Sequence, residues 1–263
     1  MQEFEIAQEA ARAAGEVLRR YFHPQTLSRA KEEGAATYNL VTDADLEAER
    51  TIVEVLRKAF PSDAVLGEES HRDDVDAPRL WIVDPLDGTN NFAHRIPHFA
   101  ISIAFYEEGQ ARCGVIYNPV RNDWFLAQRG QGAFYNGERV QVSPAERLDQ
   151  ILIGVGFYYD RGAMMEATLA AIRDLFRQNI HGVRRFGTAS LDLAHVGCGM
   201  YGAYFEYTLS PWDFAAGALF VEEAGGRVTT ARGEPLPRKP TSILASNDKV
   251  HDAVLEFVRR HHL

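Results

Sequence analysis

The stretch Trp81–Phe92, WIVDPLDGTNNF, places two carboxylates three residues apart at the end of an apolar run. Asp84 closes that run, Pro85 and Leu86 follow, then Asp87, Gly88, Thr89 and two asparagines. Carboxylate oxygens attract a hard cation such as Mg²⁺. Free backbone N–H groups at the start of a helix attract an anion. A helix beginning near Thr89 would put both kinds of group in one short segment, as a metal-bridged phosphate requires. Taken alone, the same residues also fit an Asx-rich turn that binds nothing. Pro85 has no N–H to donate, so strand pairing is expected to end there.

Three other segments end in acids. GEES, Gly67–Ser70, puts Glu68 and Glu69 after the apolar Ala64–Leu66, where a surface acid pair is the ordinary reading. SPWDFAAG, Ser210–Gly217, reads as a helix start with Ser210 at the N-cap, Pro211 at N1 and Asp213 at N3, which a capping box explains. VTDADLEAE, Val41–Glu49, allows Thr42 to cap a helix with Asp45 at N3. A two-metal site accounts for all four acidic ends at once. Two Mg²⁺ ions ~3.5–4 Å apart orient a water, polarise a phosphoryl oxygen and stabilise the leaving alkoxide.

The elements that must position these groups are partly readable. Ile6, Ala10, Ala13, Val17 and Tyr21 form a helical stripe, with Pro24 just past its end. Gln25–Asn39, containing SRAKEEGAAT, reads as a loop. A second helix is expected over Asp43–Ala59, with Leu46, Ile52, Val55, Leu56 and Ala59 inward and Pro61 as its stop. Short apolar runs with turn residues follow up to about Val142, including the hairpin signal Asn136-Gly137. Later helices are expected at Gly162–Arg177, Ala189–Gly197, Pro211–Ala224 and Asn247–His261, and strands at Ile151–Val155, Ala203–Tyr207 and Ser242–Ala245. Antiparallel strands first and alternating strands and helices afterwards indicate an α+β class. A break near Ser143–Asp149 divides the chain into residues 1–145, with the large sheet and main acidic site, and residues 146–263, an α/β half supplying Asp213. The two are expected to form one continuous structural unit.

Composition narrows the function class. The 263 residues are 46% hydrophobic and 25% charged, as in a soluble globular protein with a sizeable core. No apolar run approaches the ~20 residues of a membrane span. The acidic MQEFEIAQEA start lacks the basic and apolar regions of a signal peptide, and the cytoplasm is the expected location. Cys113 and Cys198 stand far apart and offer neither a disulfide framework nor a thiolate metal site. The net charge of −9 disfavours non-specific nucleic-acid binding, so no nucleic-acid partner is expected.

In this order, VTDAD, GEES, WIVDPLDGTNNF, GTASLDLA and SPWDFAAGALFVEEAGG resemble the inositol monophosphatase family of Mg²⁺-dependent phosphatases, over nearly the whole chain. The resemblance implies a layered α-β-α-β-α sandwich, usually dimeric and in many members lithium-sensitive. It implies Glu68, Asp84, Asp87, Asp213 and the Leu86 carbonyl as ligands of two or three Mg²⁺ ions, with Asp84 bridging. Asp45 with Thr89 would position and deprotonate the attacking water, and Glu68 belongs to the same catalytic set. Gly88 and Thr89 would hold the phosphate, with Asp87 and Asp213 beside it. Ala189 and Glu206 would contact sugar or cyclitol hydroxyls. The implied reaction is direct, in-line attack of a metal-bound water on a small phosphate monoester, without a phosphoenzyme. The sequence departs from the family pattern at two places. The family's loop lysine corresponds to Lys31 only with a three-residue offset, an ungapped match giving Gly34. Ser210 stands where several bacterial relatives carry a basic residue.

Weaker signals have simpler readings. His94 and His98 are interrupted by Pro97 and form no zinc motif, and GQGAFYNG is a hairpin turn rather than a dinucleotide fingerprint. Arg184 and Arg185 are expected at a strand end on a solvated surface, or reaching a second phosphate, which would favour fructose 1,6-bisphosphate. Myo-inositol 1-phosphate is the first-choice substrate. Fructose 1,6-bisphosphate and histidinol phosphate are alternatives, and an adenosine bisphosphate fits the GTASLDLA segment less well. A haloacid-dehalogenase-type phosphatase would need its acids two apart, with the first as nucleophile. A regulatory binding module on the same fold is the non-enzymatic alternative.

Overall fold

A computed structural model of the chain describes residues 2–22, 28–30 and 40–263, with side chains described for 2–22 and 43–263. Pro24, Lys31, Gly34, most of the expected loop and the Thr42 side chain lie outside the described residues. The elements are α1 (Gln2–Tyr21), β1 (Ser28–Ala30), β2 (Leu40–Thr42), α2 (Asp43–Ala59), β3 (Ala64–Gly67), β4 (Arg79–Asp87), α3 (Thr89–Ala93), β5 (Ala100–Glu107), β6 (Gln110–Asn118), β7 (Asp123–Gln128), β8 (Gly132–Tyr135) and β9 (Glu138–Val140). After a short 3₁₀ turn come β10 (Leu152–Val155), α4 (Ala163–Phe176), β11 (Gly182–Arg184), α5 (Ala189–Gly197), β12 (Ala203–Leu209), α6 (Pro211–Glu223), β13 (Gly226–Thr229), β14 (Thr241–Asn247) and α7 (Asp248–His261).

Among the described residues β3–β9 form a seven-stranded sheet in sequence order. It is antiparallel apart from the β3–β4 pair. A mixed five-stranded sheet runs in the order β11-β10-β12-β14-β13, and β1 pairs with β2. The strand β1 falls inside the segment expected as loop: Ser28–Ala30 pairs antiparallel with Leu40–Thr42, a partner distant in sequence that no local signal marks.

Alternation along the strands sets the layers. Trp81 and Val83 of β4 pack with α1 and α2 on one face, while Leu80 and Ile82 pack with Ala215, Ala216, Leu219 and Phe220 of α6 on the other. On β12, Tyr204 faces α5 and α6, and Phe205 faces α4 and α7. The order is therefore α1/α2, seven-stranded sheet, α5/α6, five-stranded sheet, α4/α7: the layered α-β-α-β-α, α+β architecture. Position in the layers explains composition. The helix α6 is buried from Phe214 through Val221, as an inner helix must be, whereas α2 has one wet face. That wet face includes Leu46, which is 39% exposed rather than inward. Ala44, Asp45, Ala48, Glu49, Ile52, Val53 and Leu56 make the buried face.

Candidate active site

The strand β4 does not stop at Pro85. It runs to Asp87 through a bulge: Asp84 lies opposite Ser102 and Asp87 opposite Ala100, so three steps on β4 match two on β5. Proline tolerates this position because a bulge leaves an N–H without a ladder partner. The extra residue resets the alternation. In a regular strand, carboxylates three apart would point to opposite faces. Here Asp84 and Asp87 both face the inner layer, and Leu86 turns into the outer core. The Leu86 N–H donates to Asp84 Oδ1 at 3.0 Å, and its carbonyl accepts from the Thr89 hydroxyl at 3.2 Å.

The helix α6 brings the third acid. The Ser210 N–H donates to Asp213 Oδ2 at 2.6 Å, as a capping acid at N3 should accept. The same side chain also reaches the inner cleft: Asp84, Asp87 and Asp213 each place a carboxylate oxygen within 4.8 Å of the others. Capping and site membership are not exclusive. Glu68, just past β3, lines the same cleft of about 280 Å³.

Electrostatics follow from this crowding. Burial pushes the Asp84 carboxyl well up, and Glu68, Asp87 and Asp213 push it further. Asp213 is raised well above its ordinary value by burial and by Asp87 and Glu68. Asp87 rises to about 6 through burial, restrained by Ser190. The Ser190 N–H and hydroxyl donate to Asp87 Oδ2 at 2.6 and 2.5 Å from the first turn of α5. Oxygen-only donors, mutually repelling and brought together in a cleft, match a hard divalent cation, whose charge would relieve the repulsion.

The remaining expected residues divide. Gly88 and Thr89 line the cleft where α3 begins. Gly88 has φ 95°, and a Cβ there would overlap the Thr188 hydroxyl. Ala189 lines the cleft from the start of α5. Glu206 shares the inward face of β12 with Tyr204, whose hydroxyl donates to Glu206 Oε2 at 2.7 Å. Burial raises the Glu206 carboxyl to about 7, against the pull of Tyr204 and Arg185. Gly156 leaves the room this carboxylate occupies. Asp45 is fully buried on α2 and is not part of the cleft lining. Arg185 lines the cleft, whereas Arg184 ends β11 and donates to the Val183 carbonyl at 3.0 Å.

Sequence reasoning missed Ser190, Asp192 and Asn91. Ser190 had a signal in GTAS, a small polar residue at the N2 position of a helix. Asp192 is buried in the cleft wall, its carboxyl raised well up by burial and by Asp87 and Glu206. Asn91 ties α3 to the second half of the chain, its amide donating to the His98 and Phe186 carbonyls, each at 2.7 Å.

Comparison with known proteins places the chain and its fold among relatives. The model of the inositol monophosphatase family matches residues 1–263. "Nus factor SuhB" of Pseudomonas aeruginosa is 42% identical over 261 residues, covering 97% of this chain and 95% of that protein. "Inositol-1-monophosphatase" of Caulobacter vibrioides is 42% identical over 255 residues, covering 95% and 98%. The crystal structure of extragenic suppressor protein suhB from Bartonella henselae superposes with TM-score 0.91 at 37% identity, over 99% of both chains. Inositol monophosphatase from Anabaena superposes with TM-score 0.87 at 37% identity, over 98% of this chain and 96% of that one. The chain belongs to the inositol monophosphatase family.

Proposed function

We propose that the cleft hydrolyses a small phosphate monoester, myo-inositol 1-phosphate first, with Mg²⁺ as cofactor. The observation that carries this reading is the convergence of Asp84, Asp87 and Asp213 from two distant segments. Glu68, Asp84, Asp87, Asp213 and the Leu86 carbonyl would hold two or three Mg²⁺ ions. When bound, the ions supply charge neutralisation at the phosphoryl group and a nucleophile at neutral pH. Gly88 and Thr89 receive the phosphate through their backbone N–H groups and the Thr89 hydroxyl. Thr89, which lines the cleft and is paired with the buried Asp45 behind it, would position and deprotonate the attacking water. Ala189 and Glu206 face the alcohol side, with the Glu206 carboxylate accepting a substrate hydroxyl. Attack is in line and leaves no phosphoenzyme, because the acids act as ligands and bases rather than nucleophiles.

The Caulobacter relative's name supports the inositol phosphate choice. Arg185 in the cleft supports fructose 1,6-bisphosphate as the alternative, since a guanidinium there suits a second phosphate. Histidinol phosphate is the remaining candidate. Relatives named Nus factor favour an added macromolecular role, compatible with a complete acid set. No helix among the described residues is long and apolar enough to cross a membrane. A cytoplasmic homodimer, lithium-sensitive like many family members, completes the proposal.

Phosphate release from a panel of these esters, with Mg²⁺ and with EDTA, tests the reading. Inositol phosphate should be cleaved only with metal. Asp84→Asn should lose several kcal/mol of transition-state stabilisation, about a thousandfold in kcat. Undiminished turnover in that variant sinks the metal mechanism, and release from histidinol phosphate alone changes the substrate.

A further inference from the structure

Glu68 stands in a turn whose backbone is gripped from both sides by residues outside the cleft. Glu49 of α2 is fully buried. Its Oε2 accepts the Glu69 N–H at 2.8 Å. Its Oε1 accepts the Ser70 N–H at 2.8 Å and the Ser70 hydroxyl at 2.5 Å, and lies 3.0 Å from His71 Nδ1. Burial alone would raise this carboxyl, but these hydrogen bonds hold it below its ordinary value. Gly67 lies directly against the carboxylate, so a Cβ there would overlap it. On the other side, the Arg72 guanidinium donates to the carbonyls of Gly67 and Glu68, and to that of His71 at 3.0 Å. It also sits 5.1 Å above the ring of Trp212, the neighbour of Asp213. The Trp212 carbonyl in turn accepts from the Ser102 hydroxyl at 3.2 Å, opposite Asp84.

A buried carboxylate with this many donors is costly to assemble and strongly destabilising to break. Its donors are the amides that immediately follow Glu68, so the turn keeps one backbone path. The Arg72 fork takes the carbonyls on either side and leans on the helix end that carries Asp213. Neither side chain lines the cleft. We propose that Glu49 and Arg72 are a positioning pair for the metal site, fixing the backbone around Glu68 and setting it against the Trp212–Asp213 helix end. This rests on the reading of Glu68 and Asp213 as metal ligands.

Binding of Mn²⁺ to the folded protein, followed by isothermal titration, tests the proposal without turnover. Glu49→Gln sets an NH₂ donor against backbone donors, and Arg72→Gln removes the guanidinium fork and its cation–π contact. Each should weaken Mn²⁺ binding about 10–100-fold, the range for groups that orient ligands. The Mg²⁺ concentration for half-maximal phosphate release should rise by a similar factor, and kcat at saturating Mg²⁺ should be largely retained. Arg72→Lys keeps the charge but cannot span two carbonyls, so it should recover little. Variants that melt earlier yet bind Mn²⁺ like the parent overturn the proposal and leave the pair a purely structural role. If Glu49→Gln does not fold, the two Arg72 variants decide. Parent-like Mn²⁺ binding in Glu68→Gln and Asp213→Asn overturns the metal-site reading instead.

Discussion

Asp87 and Glu206 share a cleft, and burial raises both by similar amounts from the ordinary Asp and Glu values. Burial carries the Asp87 carboxyl to about 6, against two Ser190 hydrogen bonds that favour the anion. Glu206 has the Tyr204 hydroxyl and rises to about 7. If ionised Glu206 accepts a substrate hydroxyl, KM should climb as pH falls below about 7, up to tenfold per unit. Glu206→Gln should show a higher KM at pH 8 that no longer changes across this window. The stability effect has the opposite sense. A carboxyl raised in the folded state binds its proton more tightly there than in the unfolded chain. Metal-free protein therefore loses stability as pH rises from the ordinary carboxylate range through about 7. Glu206→Gln should recover on the order of 3 kcal/mol at pH 8 and nothing at pH 4, by the ~1.4 kcal/mol worth of each pKa unit. Urea denaturation at the two pH values checks this, and equal stability of the two proteins at pH 8 would show that the buried charge is already compensated.

Among the elements, the bulge in β4 and the short helix α3 do the positioning. Gly88 joins them in the left-handed region with φ 95°, beneath the Thr188 hydroxyl and with the His98 carbonyl 3.2 Å from a would-be Cβ. Gly88→Ala adds both a strained φ and a clash, for about 1–3 kcal/mol of lost stability. It should also raise KM, because Thr89 moves with the helix. Loss of stability with parent KM would separate α3 from the phosphate site. Element limits were legible in the sequence where local chemistry sets them. Pro61 and the polar start of α2, and Ser210-Pro211 before α6, give ends that match closely. The bulge was not legible, since a proline after an apolar run signals a stop, and only pairing with β5 carries β4 past it. Nor were the roles of Glu49, Arg72 and Ser190, whose partners are fixed by tertiary packing. Leu46 shows the limit of periodicity: it fits a plausible stripe, but the face that packs centres on Ala48 and Ile52.

At the scale of the molecule, the cleft exists only where the layers meet. Asp84 and Asp87 come from the seven-stranded sheet, Glu206 from the five-stranded sheet, and Asp213 and Asp192 from the helices between them. The inner helices contribute to the cores of both sheets, so we propose that residues 1–145 and 146–263 unfold as one unit. The acids give this a thermodynamic handle. Asp84, Asp87 and Asp213 all have raised carboxyls, so without metal their burial, and with it their mutual repulsion, costs stability increasingly as pH rises through about 6 and above. A cation that binds the ionised set reverses this, adding about 2.7 kcal/mol at a hundred times its dissociation constant. For a chain of this size that is roughly 5–10 °C in melting temperature. Calorimetry should show one transition that moves up with Mg²⁺, further at pH 8 than at pH 5.5, where the site is partly protonated. Asp84→Asn should raise the metal-free melting temperature at pH 8 while losing most of the Mg²⁺ increment. Two separate transitions, with Mg²⁺ moving only one, would mean that the halves fold independently. A Mg²⁺ increment unchanged in Asp84→Asn would place the bound ion elsewhere.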